Sequence, residues 1–134
     1  MNDSCLVFRL RGSQHCVDGH QFTDEDLNKV PENCVSLELE NSAITDNGIK
    51  NLPSLPGLRC LDLDSTAVTD DAMKRLVTIT SLEELWLEDT KVSDQGFLLL
   101  RQLPRLSFVS ILDCDISDDA VRSFKVDRPD VKIH

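Results

Sequence analysis

A motif of 24 residues recurs along this chain without a gap. Read from Leu58, the positions Leu58, Leu61, Leu63, Thr66, Val68, Asp70, Met73, Leu76 and Ile79 return 24 residues on as Leu82, Leu85, Leu87, Thr90, Val92, Asp94, Phe97, Leu100 and Leu103. The same step backwards gives Cys34, Leu37, Leu39, Ser42, Ile44, Asp46, Ile49, Leu52 and Leu55. Forwards it gives Leu106, Val109, Ile111, Cys114, Ile116, Asp118, Val121 and Phe124. Units of this size cannot bury an apolar face alone and must stack on their neighbours, which restricts the chain to a solenoid. A weaker copy precedes these, with Phe22, Asp24, Leu27 and Val30 matching Ile44, Asp46, Ile49 and Leu52 at an offset of 22. The two-residue difference falls in the link, where Pro31-Glu32-Asn33 is shorter than Pro53-Ser54-Leu55-Pro56-Gly57. Counting back puts His15 and Val17 at the places of Leu37 and Leu39. Residues 1 to 14 are then left to form an antiparallel capping strand at Leu6 to Leu10 or to pack irregularly.

Each repeat contains two periods. The portion L-x-x-L-x-L alternates as a half-buried strand does, and from the aspartate onward apolar residues stand three apart, as on a helix. The pairs Thr45-Asp46, Thr69-Asp70, Ser93-Asp94 and Ser117-Asp118 supply oxygens for the free amides of each helix start, so the aspartates read as caps rather than metal ligands. Gly48, Ala72, Gly96 and Ala120 are small enough to let each helix approach the strand layer. Ser42, Thr66, Thr90 and Cys114 follow the strands, where small polar groups can satisfy backbone amides as the chain turns inward.

This pattern resembles the leucine-rich repeat family, specifically the bacterial 24-residue form of the ribonuclease-inhibitor-like class, whose repeats read roughly L-x-x-L-x-L-x-x-T-x-[VI]-T-D-x-[GA]-[LM]. The resemblance implies an α/β leucine-rich repeat solenoid, a right-handed horseshoe segment with a parallel sheet on the concave face and helices on the convex face. Residues 1–134 form one domain in this reading: an N-terminal cap and degenerate first repeat over 1–33, repeats over 34–57, 58–81, 82–105 and 106–124, and a C-terminal cap over 125–134. The segment Arg128 to His134 looks like a closing half repeat. Such scaffolds mostly support recognition, so the resemblance implies no particular activity.

The net charge of −10 repels phosphate backbones and anionic headgroups, which sets nucleic acid and membrane surfaces aside. The N-terminus lacks the basic and apolar regions of a secretory signal, and no apolar run is long enough to span a bilayer, so a cytoplasmic protein is expected. Five cysteines at irregular spacing without a C-x-x-C favour reduced thiols. Cys5, His15, Cys16 and His20 do not have the spacing of a zinc module, and carboxylates on a flat strand face cannot wrap a calcium ion. No metal and no cofactor is expected.

Strand residues between the leucines point out of the concave face. By register these are Ser36, Glu38 and Glu40; Cys60, Asp62 and Asp64; Glu84, Trp86 and Glu88; and Phe108, Ser110 and Leu112. Six of the twelve are carboxylates, gathered around the only tryptophan of the chain. Rows of like charge are mildly destabilising, which suggests a surface kept for a basic protein or peptide. The expected contact set is Glu38, Glu40, Asp62, Asp64, Glu84, Trp86, Glu88, Phe108 and Leu112. The bland alternative is that these acids only keep an open sheet soluble. On the convex side, Leu98-Leu99 stands where other repeats carry Lys50-Asn51, Lys74-Arg75 and Arg122-Ser123, a possible seed for a weak homodimer of an otherwise monomeric protein. A non-catalytic interaction module is the first reading. The second is a substrate-recognition piece of a larger assembly such as a ubiquitin-ligase-like adaptor, although no F-box segment precedes the repeats. The third, an enzyme using His15, His20 or Cys60, finds no nucleophile motif to support it.

Overall fold

The computed structural model describes residues 7–9 and 23–134. Six short strands, β1 (Val7–Arg9), β2 (Ser36–Glu38), β3 (Cys60–Asp62), β4 (Glu84–Trp86), β5 (Phe108–Ser110) and β6 (Lys132–Ile133), form one parallel sheet in chain order. Opposite them lie a 3-10 helix (Asp24–Lys29) and the α-helices α1 (Asp46–Lys50), α2 (Asp70–Leu76), α3 (Asp94–Leu99) and α4 (Asp118–Asp127). A leucine-rich repeat solenoid results. Leu37 pairs with Leu61, Leu61 with Leu85, and Leu85 with Val109, so the 24-residue spacing becomes the sheet register itself. That row, together with Leu39, Leu63, Leu87, Ile44, Val68, Val92, Ile49, Met73 and Phe97, is fully buried between the strands and the helices. Phe97 stacks on Phe124 at 4.6 Å, carrying the core from one repeat into the next. None of the described helices is long and apolar enough to cross a membrane.

Three residues beyond the ends of β2, β3, β4 and β5 stands a residue with left-handed backbone: Asn41, Ser65, Asp89 and Asp113, with φ between 55° and 62°. Asn and Asp tolerate this region better than other side chains do, and they fill three of the four positions without a glycine. One residue later the chain turns inward. There Ser42, Thr66 and Thr90 donate their hydroxyls to the carbonyls of Leu39, Leu63 and Leu87 at 2.6 to 2.8 Å. These side chains therefore satisfy carbonyls rather than the amides expected above. Cys114 joins the ladder differently, with its thiol 2.9 Å from the Leu87 carbonyl and 3.4 Å from the Thr90 hydroxyl.

The repeated aspartates are not the helix caps. Thr45, Thr69, Ser93 and Ser117 hold the N-cap positions, while Asp46, Asp70 and Asp94, like Asp24 before them, reach out of their own repeats. Asp24 accepts the amide and the hydroxyl of Thr45, Asp46 those of Thr69, Asp70 those of Ser93, and Asp94 those of Ser117, all at 2.5 to 2.7 Å. One carboxylate thus clamps the start of the next helix with two charge-assisted bonds. The small residues belong to the same device. A Cβ on Gly48 would strike Asp24 and Leu27, and one on Gly96 would strike Asp70. The close approach is to the preceding repeat's aspartate, not to the strand layer.

The first strand lies elsewhere than the 22-residue offset placed it. Phe8 of β1 stands opposite Leu37, so Val7–Arg9, parallel rather than antiparallel, occupies the sheet position expected for His15 and Val17. Those two residues, with His20, Cys5 and Cys16, lie outside the described residues. Leu98 and Leu99 are half-buried against the core and line a surface depression beside the Arg101–Asp127 ion pair, which ties the turn after α3 to α4.

At the other end, Arg128 closes the stack. Its guanidinium donates to the carbonyls of Arg101, Leu103 and Leu106 at 2.6 to 3.1 Å and holds Asp130 in a two-bonded ion pair. This satisfies carbonyls left over where the chain leaves α3 and its following turn, and it delivers Val131 into the core and Ile133 into the sheet.

Candidate functional site

The sheet register turns the exposed strand residues into three rows across the concave face. The first runs Ser36, Cys60, Glu84, Phe108 and Lys132; the second runs Glu38, Asp62, Trp86 and Ser110, with Arg9 the register partner of Glu38. Beyond the strand ends, Glu40, Asp64, Glu88 and Leu112 make the third, by the same 24-residue step. All nine residues expected from sequence fall on this one surface. Ser110 does not share their exposure: it is fully buried, and its hydroxyl donates to Glu88 Oε2 at 2.7 Å.

That bond is one link of a chain across the face. The Asp64 amide donates to Asp62 Oδ1 at 3.0 Å, and the Glu88 amide donates to Asp64 Oδ1 at 2.7 Å. Each carboxylate thereby gains a donor from its neighbour, which offsets part of the like-charge repulsion between adjacent strands. Asp64 remains the strained member. Burial, followed by the charges of Asp62 and Glu88, pushes its carboxyl up to about 7, against the lowering effect of the Glu88 amide.

At the β4–β5 side the surface becomes apolar. The rings of Trp86 and Phe108 lie 4.7 Å apart at a 47° tilt, and His134 stands 6.4 Å from Phe108. Leu112 is 42% exposed, enough for a contact. Across β2 to β4 a depression of about 290 Å³ is lined by Ser36, Glu38, Cys60, Leu61, Asp62, Glu84 and Trp86. Burial raises the Cys60 thiol above its ordinary value, and Glu84 adds to the effect. A thiol so placed stays protonated at neutral pH, the opposite of what a nucleophile needs.

Among the described residues no cluster of three or more His, Cys, Asp or Glu side chains is arranged to hold a metal ion. What the face offers chemically is a group of carboxylates, partly buried except for the exposed Glu84, beside an aromatic pair. Sequence reasoning missed the buried role of Ser110, since alternation alone puts it outward. The pairing of a serine with the Glu88 row was the only available hint.

No family model matches this chain, and no curated protein matches it. Among solved structures it is similar to an internalin (inlF) from Listeria monocytogenes, with a TM-score of 0.52 and 14% identity. The alignment covers 96% of this chain and 46% of the internalin chain, so the present chain spans just under half of that protein's length. At this identity the likeness concerns the fold, and it agrees with the solenoid described above.

Proposed function

We propose that this protein is a non-catalytic interaction module whose concave face binds a basic protein or peptide. The observation that carries the reading is that one depression is lined both by the acidic residues Glu38, Asp62 and Glu84 and by Trp86. A Lys or Arg side chain has an apolar stem and a charged head, and it matches both at once. The raised carboxyl of Asp64 supports the same reading, because an arriving cation favours its ionised form and is rewarded by it. We further take the repeats to be of the bacterial 24-residue, ribonuclease-inhibitor-like type, and the protein to work in the cytoplasm, on the sequence grounds given above.

Trp86 is the only tryptophan, so its fluorescence reports on this surface alone. Titration with an arginine- and lysine-rich nonapeptide at low salt should shift the emission saturably. The shift should weaken strongly near 0.5 M salt, where the Debye length falls to about 4 Å. Glu84→Lys, at an exposed position, should reduce the affinity about tenfold through loss of one charge and gain of the opposite one. A glutamate-rich control peptide should do nothing. No saturable shift with the basic peptide, or equal binding to the Glu84→Lys variant, contradicts the proposal.

A further inference from the structure

Glu84 and Lys132 are exposed on the concave face, and among the described residues neither forms an ion pair or a side-chain hydrogen bond. They belong to one row, in which Glu84 is the register partner of Phe108 and Phe108 that of Lys132. Lys132 faces the same way as Phe108 because its neighbours face the other: Val131 is buried and Ile133 packs on the core. Phe108 keeps the two opposite charges two strand spacings apart, about 9.6 Å, too far to pair with each other. Glu83, one residue before Glu84, shows the contrast, since it holds Arg59 in a two-bonded ion pair at 3.1 Å.

Across the strands the face changes character in three zones. The depression lined by Glu38, Asp62 and Glu84 spans β2 to β4, so its middle falls on β3. The Trp86–Phe108 pair falls between β4 and β5, and Lys132 on β6. With strands about 4.8 Å apart, the zones follow one another at steps of about one and a half strand spacings, or about 7 Å. An extended chain rises about 3.3 Å per residue and shows alternate side chains on one face, so its residues i, i+2 and i+4 stand about 6.6 Å apart. The two periods match.

We propose that the concave face takes an extended segment of a partner protein, laid across the strands, whose residues i, i+2 and i+4 are basic, apolar and acidic. The basic side chain enters the depression among Glu38, Asp62 and Glu84. The apolar one packs on Trp86 and Phe108, and the acidic one pairs with Lys132. This inference rests on the concave-face reading above and narrows it. A uniformly basic chain sets a cation against Lys132 and leaves the aromatic pair uncovered, whereas the ordered triad answers all three zones. A like charge placed opposite Lys132 is what rejects the wrong partner, and an apolar side chain on the two rings supplies the buried anchor that interface energies depend on. Side chains make all three contacts, so the face reads their order rather than the direction of the chain.

Two peptides of one composition test this, Gly-Arg-Thr-Leu-Thr-Glu-Gly and the permuted Gly-Arg-Thr-Glu-Thr-Leu-Gly, blocked at both ends and titrated against the 134-residue chain by Trp86 fluorescence at low salt. The first should bind about tenfold more tightly than the second. Lys132 is exposed, so Lys132→Glu leaves the core intact. That variant should lose the preference, and it should bind a third peptide, Gly-Arg-Thr-Leu-Thr-Lys-Gly, about tenfold more tightly than the first. Equal binding of the two permuted peptides, a preference that survives Lys132→Glu, or no saturation with the first peptide to about millimolar overturns the inference. In each of those cases the concave-face reading stands if the basic nonapeptide still binds. If the nonapeptide fails as well, both fall together.

Discussion

Asp64 shows how one side chain can serve a face at the expense of the fold. Folded, it keeps its proton up to about pH 7, whereas the unfolded chain releases it near the ordinary 3.8. Between those values the folded state binds more protons, so this carboxyl's contribution to stability is present at low pH and is lost as pH rises to about 7. Asp64→Asn keeps an oxygen to accept the Glu88 amide while removing the charge. The thermal midpoint of that variant should exceed the parent's at pH 8 and equal it at pH 3. A lower midpoint at pH 8 would mean that the ionised carboxylate is a net stabiliser. Basic-peptide binding should change the other way for the parent protein, strengthening as pH rises through 7, because the ionised form is the one that attracts a cation.

Helices and strands were legible from period alone, since the leucine ladder and the three-residue helical spacing both follow from burial on one side. What joins element to element was not. The aspartates of the T-D and S-D pairs sit at helix starts, and a cap is the local explanation for an acid there. The true partner is 23 residues away for Asp46, Asp70 and Asp94, a distance no local pattern exposes. The distinction is measurable, because an aspartate that caps its own helix is worth the same in every repeat and a clamp is not. Asp70→Ala should cost about 2 kcal/mol by denaturant unfolding, from two lost charge-assisted bonds to Ser93. Asp118→Ala, whose carboxylate holds no helix start among the described residues, should stay within about 0.5 kcal/mol of the parent when the 134 residues are unfolded. The position of β1 escaped for a related reason. Extrapolating the repeat backwards assumes a link of constant length, and Phe8 opposite Leu37 stands 29 residues back rather than 22.

For the whole molecule, the net charge of −10 acquires a direction. Some acids clamp repeats together at Asp24, Asp46, Asp70 and Asp94, and the carboxylates on β2 to β4 gather on one side of the sheet around the Trp86–Phe108 pair. The membership of that face was legible because strand alternation with an uninterrupted register leaves no freedom, as the alignment of Glu38 with Asp62 and of Asp62 with Trp86 demonstrates. Its internal wiring was not, because the bonds from the Asp64 and Glu88 amides and from Ser110 depend on backbone curvature beyond the strand ends. The most direct test of the central claim is to locate the bound peptide by amide chemical shifts. Adding the basic nonapeptide to isotope-labelled protein should move resonances at 36–40, 60–64, 84–88 and 108–112, together with the Trp86 indole, and leave α1 to α4 still. Shifts confined to the helical side, with the strand residues unmoved, would contradict it.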